Sequence, residues 1–352
     1  VGGQEGHAQH QVSDPRGHAL AGCVAAGIPS HHPARTARVI VDEDIKNAQN
    51  RPDSWDEYAT GRCDVCGSSE PHPAHDAYRP GTIIPAVLDG GQWAACFGLS
   101  WADMLLFDQA GPQRMIREDG QFVRKLAGTM GVAAGRNEIA RHFLTTDAEW
   151  LFMVDSDMGF APNTANELMH SAISNNVKMV GALCFAQKLD TDLMQGPFNA
   201  ARYRIQPTLY RYVEVEGTGE RGFQAITKYQ RDQFQPVAAT GAACVLVHRD
   251  ILVAVGSEPF MPITDPTGGG NGTSRTFSED LSFCVRVSAA GFTIGVDTSI
   301  KTTHYKGGIY LDEITYAMQQ ETLIQAKGHQ IARQAELYMR NRLSPLGIVQ
   351  ED

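Results

Sequence analysis

Glu149-Trp150-Leu151-Phe152-Met153-Val154-Asp155-Ser156-Asp157 decides the fold class of this chain. Residues 149–154 read as a strand, and its run from Trp150 to Val154 is apolar without alternation. That marks a strand buried on both faces, as in a parallel sheet. Two carboxylates then arrive abruptly where such a strand must end. The surroundings read as α/β. Residues 135–145 place Ile139, Ala140 and Phe143 on one face at helical spacing. Residues 162–174 form a second helix, with Pro162 near its first turn, and 177–183 another buried strand. Upstream, Thr82-Ile83-Ile84-Pro85-Ala86-Val87-Leu88 reads as the first strand, Asp89-Gly90-Gly91 as a turn, and 92–108 as a helix. Strands alternating with helices predict a Rossmann-like α/β fold, an open and mostly parallel sheet with helices on both faces.

Outward from that centre the pattern changes. Residues 205–248 are short β segments ending in the apolar Ala243-Cys244-Val245-Leu246-Val247. A helix at 278–290, a strand at 292–296 and a long helix at 310–342 follow. The glycines at 268–270 make residues 266–274 a candidate mobile lid. Four regions result. Residues 1–35, rich in Gly, His, Ala and Pro, form a flexible tail. Residues 36–80 are a small polar Cys/His segment, 81–308 the main α/β domain, and 309–352 a C-terminal helical extension that could pair chains or pack on the domain.

The 352 residues carry 30 Lys and Arg against 40 Asp and Glu, a net charge of −10. No long basic run exists to grip a polyanion, so nucleic acid is a weak candidate partner. Apolar residues make up 42% of the chain, enough for a substantial core. Seven cysteines, an odd number, are mostly scattered within apolar runs. That predicts reduced, buried thiols and a cytoplasmic protein. No 18-residue apolar stretch predicts a membrane span.

Three elements carry chemistry. Asp155 and Asp157 stand at the carboxyl end of a buried strand, where open α/β sheets bind ligands. Two carboxylates one residue apart can hold Mg²⁺ or Mn²⁺ against a diphosphate; a polar turn capping the next helix is the plainer alternative. Ser278-Glu279-Asp280 opens a helix. Ser278 can cap it and the acids suit its dipole, while a carboxylate held there is also placed to act as a base. His304 falls where a third metal ligand would be needed, with Lys306 near enough to meet a phosphate, although a lone histidine is more often structural.

The ordered blocks Arg136-Asn137-Glu138-Ile139-Ala140-Arg141, Trp150 through Met158, Thr240-Gly241-Ala242-Ala243-Cys244-Val245-Leu246-Val247, Ser278 through Cys284, and Asp297 through His304 resemble glycosyltransferase family 2 and its relatives, in particular the bacterial and bacteriophage branch. The resemblance spans roughly residues 82–308. It implies a GT-A fold and transfer of a sugar from a nucleotide-diphosphate donor. It also implies that Asp155 and Asp157 hold the cation and diphosphate, with His304 completing the metal site. Ile84-Pro85-Ala86 and Arg136 would line the nucleoside pocket, and Gly241 would let the backbone pass close to the donor sugar. Glu279 and Asp280 would sit under the acceptor, with Asp280 as general base of an inverting displacement. Retaining enzymes share this fold. A protein side chain, a glycan and a lipid-linked sugar are candidate acceptors, in a host cytoplasm if the gene is a phage's. The loop after Gly91 lacks the family's small polar residues, which leaves donor-base contacts there open.

Cys63-Asp64-Val65-Cys66 with His72 and His75 could close a tetrahedral structural zinc site. A loop with incidental cysteines is the equal alternative. Two rival functions remain. One is an inactive binding or virion-associated protein that keeps the fold. The other is a nucleotidyltransferase, but no Lys or Arg closely follows Asp89-Gly90-Gly91 to build its phosphate loop.

Overall fold

In the computed structural model, which describes residues 78–116, 123–126, 131–189 and 203–343, the apolar run at 150–154 is the middle of a strand in a sheet covered on both sides. The elements run β1 (Arg79–Asp89), α1 (Ala95–Ala110), β2 (Val123–Leu126), α2 (Gly131–Leu144), β3 (Ala148–Asp155), β4 (Met158–Phe160), α3 (Thr164–Ser174) and β5 (Met179–Leu183). Short strands follow: β6 (Phe185–Leu189), β7 (Tyr203–Pro207), β8 (Leu209–Val215), β9 (Glu220–Ala225), β10 (Phe234–Val237), β11 (Ala239–Thr240) and β12 (Cys244–His248). The chain continues through α4 (Arg249–Val255), the hairpin β13 (Thr264–Gly270) and β14 (Thr273–Thr276), α5 (Glu279–Ala289), β15 (Ile294–Lys306), β16 (Ile309–Leu311) and α6 (Glu313–Leu343). The Cys63, Cys66, His72 and His75 set and the tail at 1–35 lie outside the described residues.

Strand β3 shows why the sheet needs two layers of helix. Leu151 and Met153 point into one core with Ile139 and Phe143 of α2, Ile251 of α4 and Phe283 of α5. Trp150, Phe152 and Val154 point into the other, with Phe97 and Met104 of α1 and Leu168 and Met169 of α3. Successive side chains alternate between faces, and each face meets its own helices.

The sheet is mixed rather than mostly parallel. Among the described residues it orders β10-β15-β5-β12-β3-β1-β2, with β4 and β16 attached to β15. β1 runs parallel to β2 and β3, and β15 parallel to β5. β12 lies antiparallel between β3 and β5, and β10 antiparallel on β15. A strand buried on both faces reads as a continuous apolar run in either direction, so the residues of β12 carry no sign of their orientation. The strand expected at 292–296 extends to Lys306, and the helix expected from 92 begins at Ala95.

Pro85 sits inside β1, where a missing N–H must be accommodated. Ile83 donates to the Arg114 carbonyl and accepts from Ile116 on the β2 side of the strand. By alternation Pro85 faces that same side, in the gap before pairing with β2 begins at Ala86. The proline therefore costs no ladder bond. No described helix is long and apolar enough to cross a membrane.

Candidate functional site

The C-terminal end of β3 delivers Asp155, and the turn after it delivers Asp157. β4 then pairs antiparallel with β15, setting His304 opposite Met158. The Tyr305 N–H donates to the Asp157 carbonyl at 2.9 Å, which fixes the turn against the strand. This register brings His304 and Lys306 onto the Asp157 side chain. Lys306 Nζ donates to Oδ2 at 2.6 Å, and His304 Nε2 faces Oδ1 at 3.3 Å. Burial alone would raise the Asp157 carboxyl, but the His304 and Lys306 side chains outweigh it and hold it at about 2.

The His304 ring has a defined tautomer. Its Nδ1 lies 2.8 Å from the Phe185 carbonyl, which can only accept, so Nδ1 carries the hydrogen. In the neutral ring Nε2 then presents a lone pair to a carboxylate oxygen, and of the two ring forms only the imidazolium, with a hydrogen on Nε2 as well, lowers the Asp157 carboxyl. Nε2 and Asp157 Oδ1 are buried and neither has a hydrogen-bond partner. Two acceptors facing each other at that distance need a cation between them, a proton or a metal ion.

Asp155 turns the other way. Arg136, on α2, donates from Nη2 to Asp155 Oδ1 at 3.0 Å and from Nη1 to Glu279 Oε1 at 2.8 Å. The Arg136 side chain is only 6% exposed. Its burial opposes the charge, but Asp155, Glu279 and Asp280 together raise its pKa above the ordinary arginine value. The guanidinium thus joins the end of β3 to the start of α5. Among the described residues no group of three His, Cys, Asp or Glu side chains is arranged to hold a metal ion, and Asp155 is bonded to Arg136.

At the start of α5 the expected serine cap is absent. Ser278 makes no side-chain bond to a backbone N–H; its hydroxyl donates to Asp280 Oδ1. The Leu281 N–H donates to the same oxygen at 2.8 Å. Asp280 Oδ2 turns to Gly241, where an added Cβ would stand 3.6 Å away, with Thr208 Cβ at 3.4 Å. A Cβ at 241 would stand in ordinary van der Waals contact with both, so only a side chain larger than alanine would crowd the carboxylate. Tyr210, which the sequence does not single out, also lies near Asp280. Burial first, and the Asp280 charge second, push its phenol up to about 12.

Pro85 is buried within β1, and residues 264–276 form the β13–β14 hairpin where a mobile lid was expected. Arg221 bonds Asp265 at 2.9 Å and Arg275 bonds Glu220 at 2.6 Å, pinning that hairpin to β9. Cys184, Cys244 and Cys284 are buried free thiols pushed up by burial, to about 12 for Cys184 and Cys284.

No protein-family model and no curated protein matches the chain. Among solved structures, the crystal structure of A197 from STIV aligns over 66% of this chain and 90% of its own, at 14% identity and a TM-score of 0.40. A likeness at that level carries no argument about fold or function.

Proposed function

We propose that the chain is a GT-A-type glycosyltransferase that takes a sugar from a nucleotide-diphosphate donor and transfers it to a hydroxyl-bearing acceptor. The observation that carries the reading is the opposed pair Asp157 Oδ1 and His304 Nε2, buried, unpartnered and 3.3 Å apart beside Lys306. The Asp157 carboxylate suits Mn²⁺ or Mg²⁺, and the imidazole nitrogen beside it fits the softer Mn²⁺ better than Mg²⁺. When bound there, such an ion would neutralise charge on a leaving diphosphate.

The remaining roles fall to the chain's own side chains. Lys306, already at the carboxylate, can pass to a phosphate oxygen. Arg136 fixes the Asp155 and Glu279 carboxylates in place. Asp280 has one oxygen held by Ser278 and the Leu281 N–H, which leaves the other to accept a proton from the acceptor hydroxyl. A base on one side of the sugar and a diphosphate on the other describe an inverting displacement.

One observation favours a second reading, an inactive binding protein of the same fold. Arg136 and Lys306 already pair with the site carboxylates Asp155, Glu279 and Asp157. Donor hydrolysis by the full chain separates the two readings, screening nucleotide sugars with Mn²⁺ or Mg²⁺ beside a chelated control and Asp157→Ala. Release of nucleoside diphosphate from one donor, lost in both controls, supports transfer. Neither turnover nor metal-dependent donor binding by calorimetry would leave the binding-protein reading standing.

A further inference from the structure

Among the described residues, helix α6 is anchored near its start. Tyr316 is buried and donates to the Thr227 carbonyl at 2.8 Å, while Gln319 accepts from the Ile205 N–H at 2.7 Å. From Ile324 onward every described side chain of the helix is exposed, Ile324 at 71% and Ile331 at 66%. Most helical stability in a protein comes from packing one face of the helix, and among the described residues this segment packs none.

The exposed residues are ordered. Ala317, Ile324 and Ile331 recur every seven residues, with Gly328 and Ala335 four positions after the two isoleucines, the spacing of a coiled-coil seam. Ala317 is one residue, about 100°, round the helix from Tyr316, so this seam lies about a quarter turn from the anchoring side chains and further along the helix.

We propose that the seam is a homodimer interface in which α6 pairs antiparallel with α6 of a second copy. Side-chain size selects the direction. In the antiparallel register Ile331 lies opposite Gly328 of the second copy and Ile324 opposite Ala335, so each large residue meets a small one. A parallel pair would set isoleucine on isoleucine and glycine on glycine, leaving every small layer unfilled. Gly328 supplies an independent argument. A glycine inside a helix costs about 1 kcal/mol relative to alanine. Here its φ is not left-handed, and nothing lies within 4 Å of where its Cβ would stand. No contact among the described residues asks for glycine at this position, whereas a close approach of a second backbone does.

The test is light scattering on the full chain across concentration, with helicity followed by circular dichroism. The wild type should dimerise, and Ile331→Asp should be monomeric with its folded core intact. Gly328→Leu should raise helix content, because leucine is the better helix former, yet weaken the dimer at least about tenfold. Mixing Ile324→Cys chains with Ala335→Cys chains should give an intermolecular disulfide that Ile324→Cys alone does not. A monomer at every concentration would overturn the proposal, including one whose distal helix resists proteolysis because another segment of the chain covers it. So would a dimer indifferent to both substitutions, or a disulfide between two copies of Ile324→Cys.

Discussion

Arg136 and Glu279 lie 143 positions apart and meet through a 2.8 Å bond from Nη1 to Oε1, while the other guanidinium nitrogen holds Asp155. The fork makes one unit of the β3 end and the α5 start. Replacing it with Arg136→Met leaves two carboxylates, each about a quarter exposed, facing each other without their cation. Removing one partner of a buried pair costs about 3–5 kcal/mol; the partial exposure lowers the expected loss to about 2–3 kcal/mol. Arg136→Lys should recover less than half of it, since an ammonium cannot fork between two carboxylates. Urea midpoints at unchanged m-value check both variants.

The proposed chemistry separates Asp157 from Asp280. Asp157→Asn should abolish metal-dependent donor binding in calorimetry, because the paired acceptors that call for a cation are gone. Asp280→Asn should leave donor affinity within about twofold and lower turnover by about 10²–10⁴, the usual contribution of a general base. Equal loss of donor binding in both variants would remove the distinct base role given to Asp280.

Much of the sheet was legible because burial on both faces writes a continuous apolar run, as at 150–154. The direction of β12 was not, since Cys244 to His248 would read alike either way. The site was legible as residue types: Asp155, Asp157, Glu279, Asp280 and His304 all stand at element ends where polar residues interrupt apolar runs. Their partners were hidden. Whether Asp155 turns to Arg136 or to His304 depends on side-chain direction across 19 positions of chain in the first case, and spacing does not encode it. Tyr210 gave no signal either, because an aromatic residue in a short strand looks like core. The glycine at 328 shows the opposite case, a residue whose oddity in sequence is left unexplained by its own chain's described contacts.

His248 gives the chain a pH-dependent term away from the proposed site. Its Nδ1 accepts the Asp250 N–H at 3.1 Å, so in the neutral ring Nε2 carries the hydrogen, facing Glu149 Oε1 at 3.3 Å. Trp150 and Tyr78 pack edge-on against the ring. Burial lowers its pKa below the ordinary 6.5, Lys178 lowers it further, and the carboxylates of Asp250 and Glu149 only partly oppose that. The unfolded chain therefore binds a proton at higher pH than the folded one. His248's contribution is complete above about pH 6.5 and is lost as pH falls toward the folded value. His248→Gln should flatten the stability profile between about pH 7 and 5, read as urea midpoints against pH; an unchanged slope would contradict the assignment.

Arg249 ties together the connection between α2 and β3. It is buried and donates to three carbonyls, Ala148 at 2.8 Å, Leu144 at 2.9 Å and Thr146 at 2.6 Å. Its guanidinium also lies 5.2 Å from the Phe143 ring centroid. Leu144 ends α2 and Ala148 begins β3, so one guanidinium meets three carbonyls across the connection that leads into the strand bearing Asp155, while the Asp147 carbonyl accepts from the Arg79 N–H. Backbone carbonyls at a helix end lack intrahelical partners, and each buried acceptor left unmet costs about 1–3 kcal/mol. Arg249→Ala should therefore destabilise by about 3 kcal/mol or more, measured by urea unfolding. Arg249→Lys should restore only part of that, since an ammonium on a flexible stem lacks the planar fork that reaches all three oxygens. If Arg249→Ala unfolds at the wild-type midpoint, water satisfies those carbonyls and the connection does not depend on the arginine.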